Sequence, residues 1–118
     1  MTWNAALMIS YTTPVPGREG KAMEVFAGAF TILGKLAVDG KCAEPEAFQH
    51  LFGGGMFIIK TESVETANEI LDMDDVRKTL DTAVFTVNDF HVEILVTGTK
   101  LMSNMSEYIG IGTELGYI

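Results

Sequence analysis

The stretch Gly53-Gly54-Gly55-Met56-Phe57-Ile58-Ile59-Lys60-Thr61-Glu62-Ser63 carries a turn, a strand and a helix start in succession. Three glycines reach positive φ without a Cβ clash, so the chain can reverse there in a tight hairpin or a bulged turn. Met56 to Thr61 reads as a strand. Its Met-Phe-Ile-Ile run is apolar on both faces, the pattern of a central strand covered on both sides. Ser63 then opens a helix. Ser63-Val64-Glu65-Thr66 resembles a capping box with its acid one place early, and Thr66 with Glu69 has the better spacing.

Upstream, Ala43 to Phe52 reads as a strand that Pro45 confines to a sheet edge. Phe48, His50 and Phe52 share one of its faces, with Ala47, Gln49 and Leu51 on the other. Before it, apolar residues recur at Met23, Phe26, Phe30, Leu33 and Ala37, predicting an amphipathic helix from Arg18 to about Val38. It follows Pro16-Gly17 and ends at Asp39-Gly40. Gly28 and Gly34 each weaken this helix by about 1 kcal/mol relative to alanine, which predicts close packing at both points. Ala5 to Thr12 forms a first strand, with Leu7, Ile9 and Tyr11 opposite Met8, Ser10 and Thr12.

Downstream, the stripe Ala67, Ile70, Leu71, Val76, Leu80 is interrupted at Asp72-Met73-Asp74-Asp75, which predicts a kink or two short helices. Phe90 to Val96 alternates as a final strand, with Phe90, Val92, Ile94 and Val96 against His91, Glu93 and Leu95. The order β-α-β-β-α-β predicts an α+β domain: a four-stranded antiparallel sheet in spatial order 4-1-3-2 with two helices on one face. Residues 1–98 form this domain. The Gly-rich tail 99–118 keeps Leu101, Met102, Tyr108, Ile109, Ile111, Leu115, Tyr117 and Ile118, and is expected to pack on the domain or on a partner.

At 118 residues the chain is long enough for one self-sufficient core. Eight basic against sixteen acidic residues give a net charge of −8, and the basic residues form no cluster, which argues against nucleic-acid binding. Cys42 is the single cysteine, so an intramolecular disulfide is excluded while pairing between chains stays open. No targeting signal or membrane-length apolar run is apparent, and a reduced cytoplasmic location is expected. A mean hydropathy of +0.23 favours a buried partner interface or a ligand cavity.

Helices on one face leave the other face of the Met56–Ile59 strand uncovered. A second copy of the sheet is the economical cover, so a face-to-face homodimer is expected. The entry Tyr11-Thr12-Thr13-Pro14-Val15-Pro16-Gly17-Arg18-Glu19, the strand Gly54-Gly55-Met56-Phe57-Ile58-Ile59, Asp74-Asp75-Val76-Arg77 and Val92-Glu93-Ile94-Leu95 together resemble the dimeric α/β-barrel superfamily, of ferredoxin-like topology, over about residues 5–97. That resemblance implies two sheets facing each other in a dimeric barrel. It also implies a range of activities: cofactor-independent monooxygenases acting on aromatic polyketides, haem-degrading enzymes and small isomerases. Fold alone does not choose among them.

His91 and Glu93 fall two apart on one strand face, where the histidine could act as general base with the carboxylate orienting it. The plainer alternative is a polar stripe at a sheet edge or dimer contact. Tyr11, His50 and Phe48 are the candidate ligand-binding residues, for a small, largely apolar or aromatic molecule in a pocket between sheet and helices. His50 could also meet His91 across a dimer. Tyr11, Trp3, Asn68 and Asn88 match, by residue type only, those with which the superfamily's monooxygenases hold a substrate. The haem-degrading branch has a helix-borne histidine, and neither predicted helix contains one. Two histidines, Cys42 and the Asp72-Asp74-Asp75 cluster lack ligand spacing, so neither a metal nor another cofactor is expected. The function reads as small-molecule binding, as a cofactor-independent monooxygenase or isomerase, or else as a non-catalytic ligand-sensing or assembly module.

Overall fold

The structure, a computed structural model, describes residues 2–51 and 53–97 together with 114 and 116. Phe52 and the tail, those two positions apart, lie outside the described residues. Seven elements follow in the order β1 (Ala5–Tyr11), α1 (Glu19–Val38), β2 (Glu46–Gln49), β3 (Gly55–Thr61), α2 (Val64–Asp72), α3 (Asp74–Thr86) and β4 (Phe90–Val96). They build one open antiparallel sheet in the order β2-β3-β1-β4, which is the expected topology.

The alternation along each strand decides the two faces. Leu7 lies between Ile59 and Ile94, and Ile9 between Phe57 and Val92. These side chains pack with Leu33 and Leu36 of α1, Ile70 of α2 and Val76 of α3 in one core. All helices therefore cover one face of the sheet. The other face carries Met8, Met56 and Ile58, half-buried in the single chain. β3 is thus apolar on both sides, as its sequence predicts.

The second helix is two helices. Met73 adopts extended backbone at φ −66 and ψ 135, which ends α2 and turns the chain into α3. Asp74 and Asp75 then stand in the first turn of α3, where carboxylates oppose the positive end of the helix dipole. The cap of α2 is Ser63, whose hydroxyl accepts the Thr66 N–H at 3.1 Å.

Three expectations are corrected. β2 spans only Glu46–Gln49, because Pro45 supplies no ladder N–H and the chain turns beyond Gln49. The buried stripe of α1 is Ala22, Val25, Leu33 and Leu36, whereas Met23 is 75% and Phe30 42% exposed. Finally, a Cβ added at Gly28 or Gly34 meets nothing within 4 Å among the described residues, so close packing does not explain either glycine. Gly28→Ala should then raise stability by about 1 kcal/mol through helix propensity, visible as a higher urea midpoint at unchanged slope.

Cys42 is 2% exposed, its Sγ 3.9 Å from the Leu33 carbonyl. Burial pushes its thiol above the ordinary value. This placement removes the pairing between chains that the sequence leaves open. Native protein should react with an aromatic disulfide reagent far more slowly than protein in denaturant; equal rates would contradict the burial.

Candidate functional site

Tyr11 ends β1 on the helix-covered face. Its ring stacks on Phe26 of α1 with centroids 4.3 Å apart and lies 5.9 Å from the Phe57 ring. Phe30, one helical turn beyond Phe26, meets Phe57 edge-on at 4.7 Å. These four rings line a cleft of about 530 Å³ between α1 and the β2–β3 edge, with Met23 and Phe48 at its sides. That volume suits a small molecule.

The triple glycine shapes the inner end of the cleft. Gly53 and Gly54 take φ of +113 and +77, and a Cβ on Gly54 would fall 2.6 Å from the Tyr11 carbonyl. At Gly55, a Cβ would lie 3.0 Å from the Tyr11 hydroxyl and would strike the Phe48 carbonyl. Glycine there leaves room for the phenol. No hydrogen bond to the Tyr11 hydroxyl is made among the described residues. Burial raises its pKa above the ordinary value, so it stays protonated at neutral pH and remains a donor.

Among the described residues, only Tyr11 and Glu19 of this lining are ionisable. Glu19 is engaged: its carboxylate oxygens accept the Gly17 N–H at 3.0 and 3.2 Å. The cleft is therefore an aromatic slot in which, among the described residues, the Tyr11 hydroxyl is the ionisable group with no hydrogen-bond partner.

His91 and Glu93 lie on the opposite face of the sheet. The His91 Nε2 stands 2.7 Å from the Glu93 Oε1, with 60% and 47% of the two side chains exposed. His50, in the turn after β2, lines the same shallow depression as His91, Ser10, Met56 and Asp89, a space of about 610 Å³. Tyr11 also borders this depression, so the end of β1 brings Tyr11, His50 and His91 to one space, while Glu93 and Phe48 do not line it. Phe48 sits at the outer edge, on the open face by register with Met56, while also bordering the cleft.

The remaining candidates do not line the cleft. Asn88 donates from its side chain to the Thr13 carbonyl and hydroxyl at 3.0 and 3.1 Å, fixing the chain after β1. Asn68 is exposed and Trp3 half-buried. Sequence reasoning missed Met23, Phe26, Phe30 and Phe57 as cleft residues. The available signal was a helical stripe carrying more aromatic bulk than a closely packed helix–sheet contact admits. Among the described residues, no group of three or more His, Cys, Asp or Glu is placed to hold a metal ion, and no helix is long and apolar enough to cross a membrane.

No protein-family model and no curated protein sequence matches the chain. Solved structures do. A dimeric ferredoxin-like protein of unknown function from Jannaschia sp. superposes with a TM-score of 0.63 at 10% identity, covering 79% of this chain and 99% of that one. A candidate antibiotic biosynthesis monooxygenase from Caulobacter crescentus gives 0.59 at 11%, covering 80% and 91%. A conserved Bacteroides thetaiotaomicron protein of unknown function, described as a possible oxidoreductase, gives 0.60 at 9%, covering 81% and 100%. At such identities the likeness is one of fold. The chain has the ferredoxin-like fold, as its sequence resemblance implies.

Proposed function

We propose that this protein is a homodimer whose subunits each bind a small, largely apolar, planar molecule in the α1 cleft. The observation that carries this reading is the aromatic slot with, at its inner end, a Tyr11 hydroxyl that has no partner among the described residues. A flat ring can lie against Phe26 and Phe30 in offset or edge-on contact. An acceptor oxygen on that ring receives the Tyr11 hydrogen bond. The half-buried Met8, Met56 and Ile58 on the other face support the homodimer, as does the dimeric state of the Jannaschia relative.

As an enzyme, the protein would act without a cofactor, as a monooxygenase or isomerase on a substrate acidic enough to form an enolate or phenolate. Tyr11 would hold the developing oxyanion, the kind of stabilisation that preorganised donors provide. The Caulobacter relative favours the monooxygenase version. One observation favours the non-catalytic ligand-sensing alternative: no histidine or lysine lines the cleft among the described residues. His91 and Glu93 take the dimer-contact reading in either case, because they stand exposed on the open face and neither lines the α1 cleft.

A thermal-shift screen of planar aromatic and fatty-acid-like compounds tests the binding, since a ligand selective for the native state raises the midpoint. Hits should come from aromatic compounds bearing an acceptor oxygen. Tyr11→Phe should weaken them about two- to tenfold, the worth of one hydrogen bond. Hits unaffected by Tyr11→Phe and by Phe30→Ala would place binding elsewhere.

A further inference from the structure

We propose that association of the two open faces takes up protons at His91, so that the dimer tightens on acidification. This rests on the homodimer reading above and concerns the face away from the cleft.

The register sets the open-face side chains in cross-strand rows. One row runs Glu46, Ile58, Met8, Glu93, from β2 through β3 and β1 to β4. Both its ends are acids. The next row runs Phe48, Met56, Ser10, His91, and on the other side Lys60 is followed by Ala6 and Leu95. Each acid has one compensating neighbour. Lys60 lies 3.8 Å from Glu46, and His91 lies 2.7 Å from Glu93.

A second copy can face this sheet about a two-fold axis along the strands or across them. With the rows in step, the first arrangement lays β4 over β2 of the second copy, and Glu93 over its Glu46. The second lays β4 over β4, and Glu93 over Glu93. Glu93 meets an acid in both. The compensation differs in kind: lysine is charged throughout the neutral range, whereas a histidine is charged only on its acid side. With His91 neutral, Glu46, Lys60, Glu93 and the nearby Asp89 leave each face at −2, and two faces of like sign oppose each other. With His91 protonated, the two ion pairs balance and each face falls to −1, so the repulsion drops. Covering the face also removes water, which strengthens both the repulsion and its relief.

Few charged groups surround His91. On β4 its charged neighbour is Glu93. Ser10 lies opposite on β1, Met56 follows on β3, and neither is ionised. Asp89 and His50 reach the same depression from the loop before β4 and the turn after β2. Asp89 adds a further acid beside the pair, and His50 a further base.

The test measures the dimer dissociation constant of the full chain by sedimentation equilibrium at constant ionic strength, from about pH 8 to about pH 5.5. That range stays above the sequence pI of about 4.5. Dissociation should fall roughly tenfold over it, the equivalent of about one unit of proton linkage. Glu93→Gln should be tight already at the alkaline end and flat with pH. His91→Gln should be weak and flat, and His50→Gln should keep the slope. Should His91→Gln fail to fold, the Glu93→Gln profile decides alone. A pH slope that persists in Glu93→Gln, or a dimer whose affinity does not change with pH, overturns the proposal while leaving the dimer standing. A monomer at every pH overturns the homodimer reading with it.

Discussion

Gly54→Ala is expected to cost the fold about 3 kcal/mol or more. Two effects add. Gly54 sits at φ +77, where an L side chain is strained by about 1–3 kcal/mol. Its new Cβ would also fall 2.6 Å from the Tyr11 carbonyl and 2.9 Å from the Thr12 Cα. Those are backbone atoms, and they cannot give way cheaply. Thr12 N–H donates to the Asp89 carbonyl at 3.0 Å, and the Thr12 hydroxyl accepts the Asp89 N–H at 2.8 Å. A loss of this size is a large part of the 5–15 kcal/mol that holds a typical domain. In urea titration the midpoint should drop sharply, whereas Gly28→Ala moves it upward. Equal and small changes in both would mean that the glycine turn is not wedged against β1. Because the clash falls on Tyr11, surviving Gly54→Ala protein should also lose ligand binding in the α1 cleft.

Ile58→Glu is expected to convert the dimer to a folded monomer, with dissociation weakened by two orders of magnitude or more, on the order of 3 kcal/mol. Ile58 points away from the helices, between Glu46 and Met8 in the row that ends at Glu93. The substitution puts a third carboxylate into the centre of a row that already has two. Solvent reaches this position in the single chain, so the monomer keeps its fold. Gel filtration with circular dichroism reads both outcomes. A dimer that survives Ile58→Glu would exclude the open face as the contact. Loss of the circular dichroism signal would instead mean that Ile58 belongs to the core.

Much of this arrangement was legible in the residues. Alternation in β1, β3 and β4 gave the two faces of each strand, and the Asp72–Asp75 interruption gave the break between α2 and α3. The phase of α1 was not legible. Both Met23-Phe26-Phe30 and Ala22-Val25-Ala29 follow a helical period, and periodicity does not say which stripe meets the sheet. The structure buries the smaller one, Ala22 and Val25 with Leu33 and Leu36, and leaves the larger side chains to wall the cleft.

The candidate site is less legible for a related reason. Alternation places Tyr11 on one face of β1 and His91 on one face of β4, and the open-face depression that both border is not visible in either strand alone. Their relation depends on register, which sets Tyr11 against Phe90 and Ser10 against His91. A strand's own sequence carries no information on which neighbour it will oppose. Tyr11 therefore shares a face with Phe90, and His91 shares one with Ser10.

Both the cleft reading and the pH linkage depend on one proposed division of labour between the two faces of the sheet: helices and the proposed ligand on one, the proposed second copy on the other. Sedimentation velocity of the full chain at micromolar concentration and neutral pH tests that division most directly. A species of twice the 12.8 kDa chain mass is expected. A single species at the chain mass, with Met8, Met56 and Ile58 left to solvent, would contradict it.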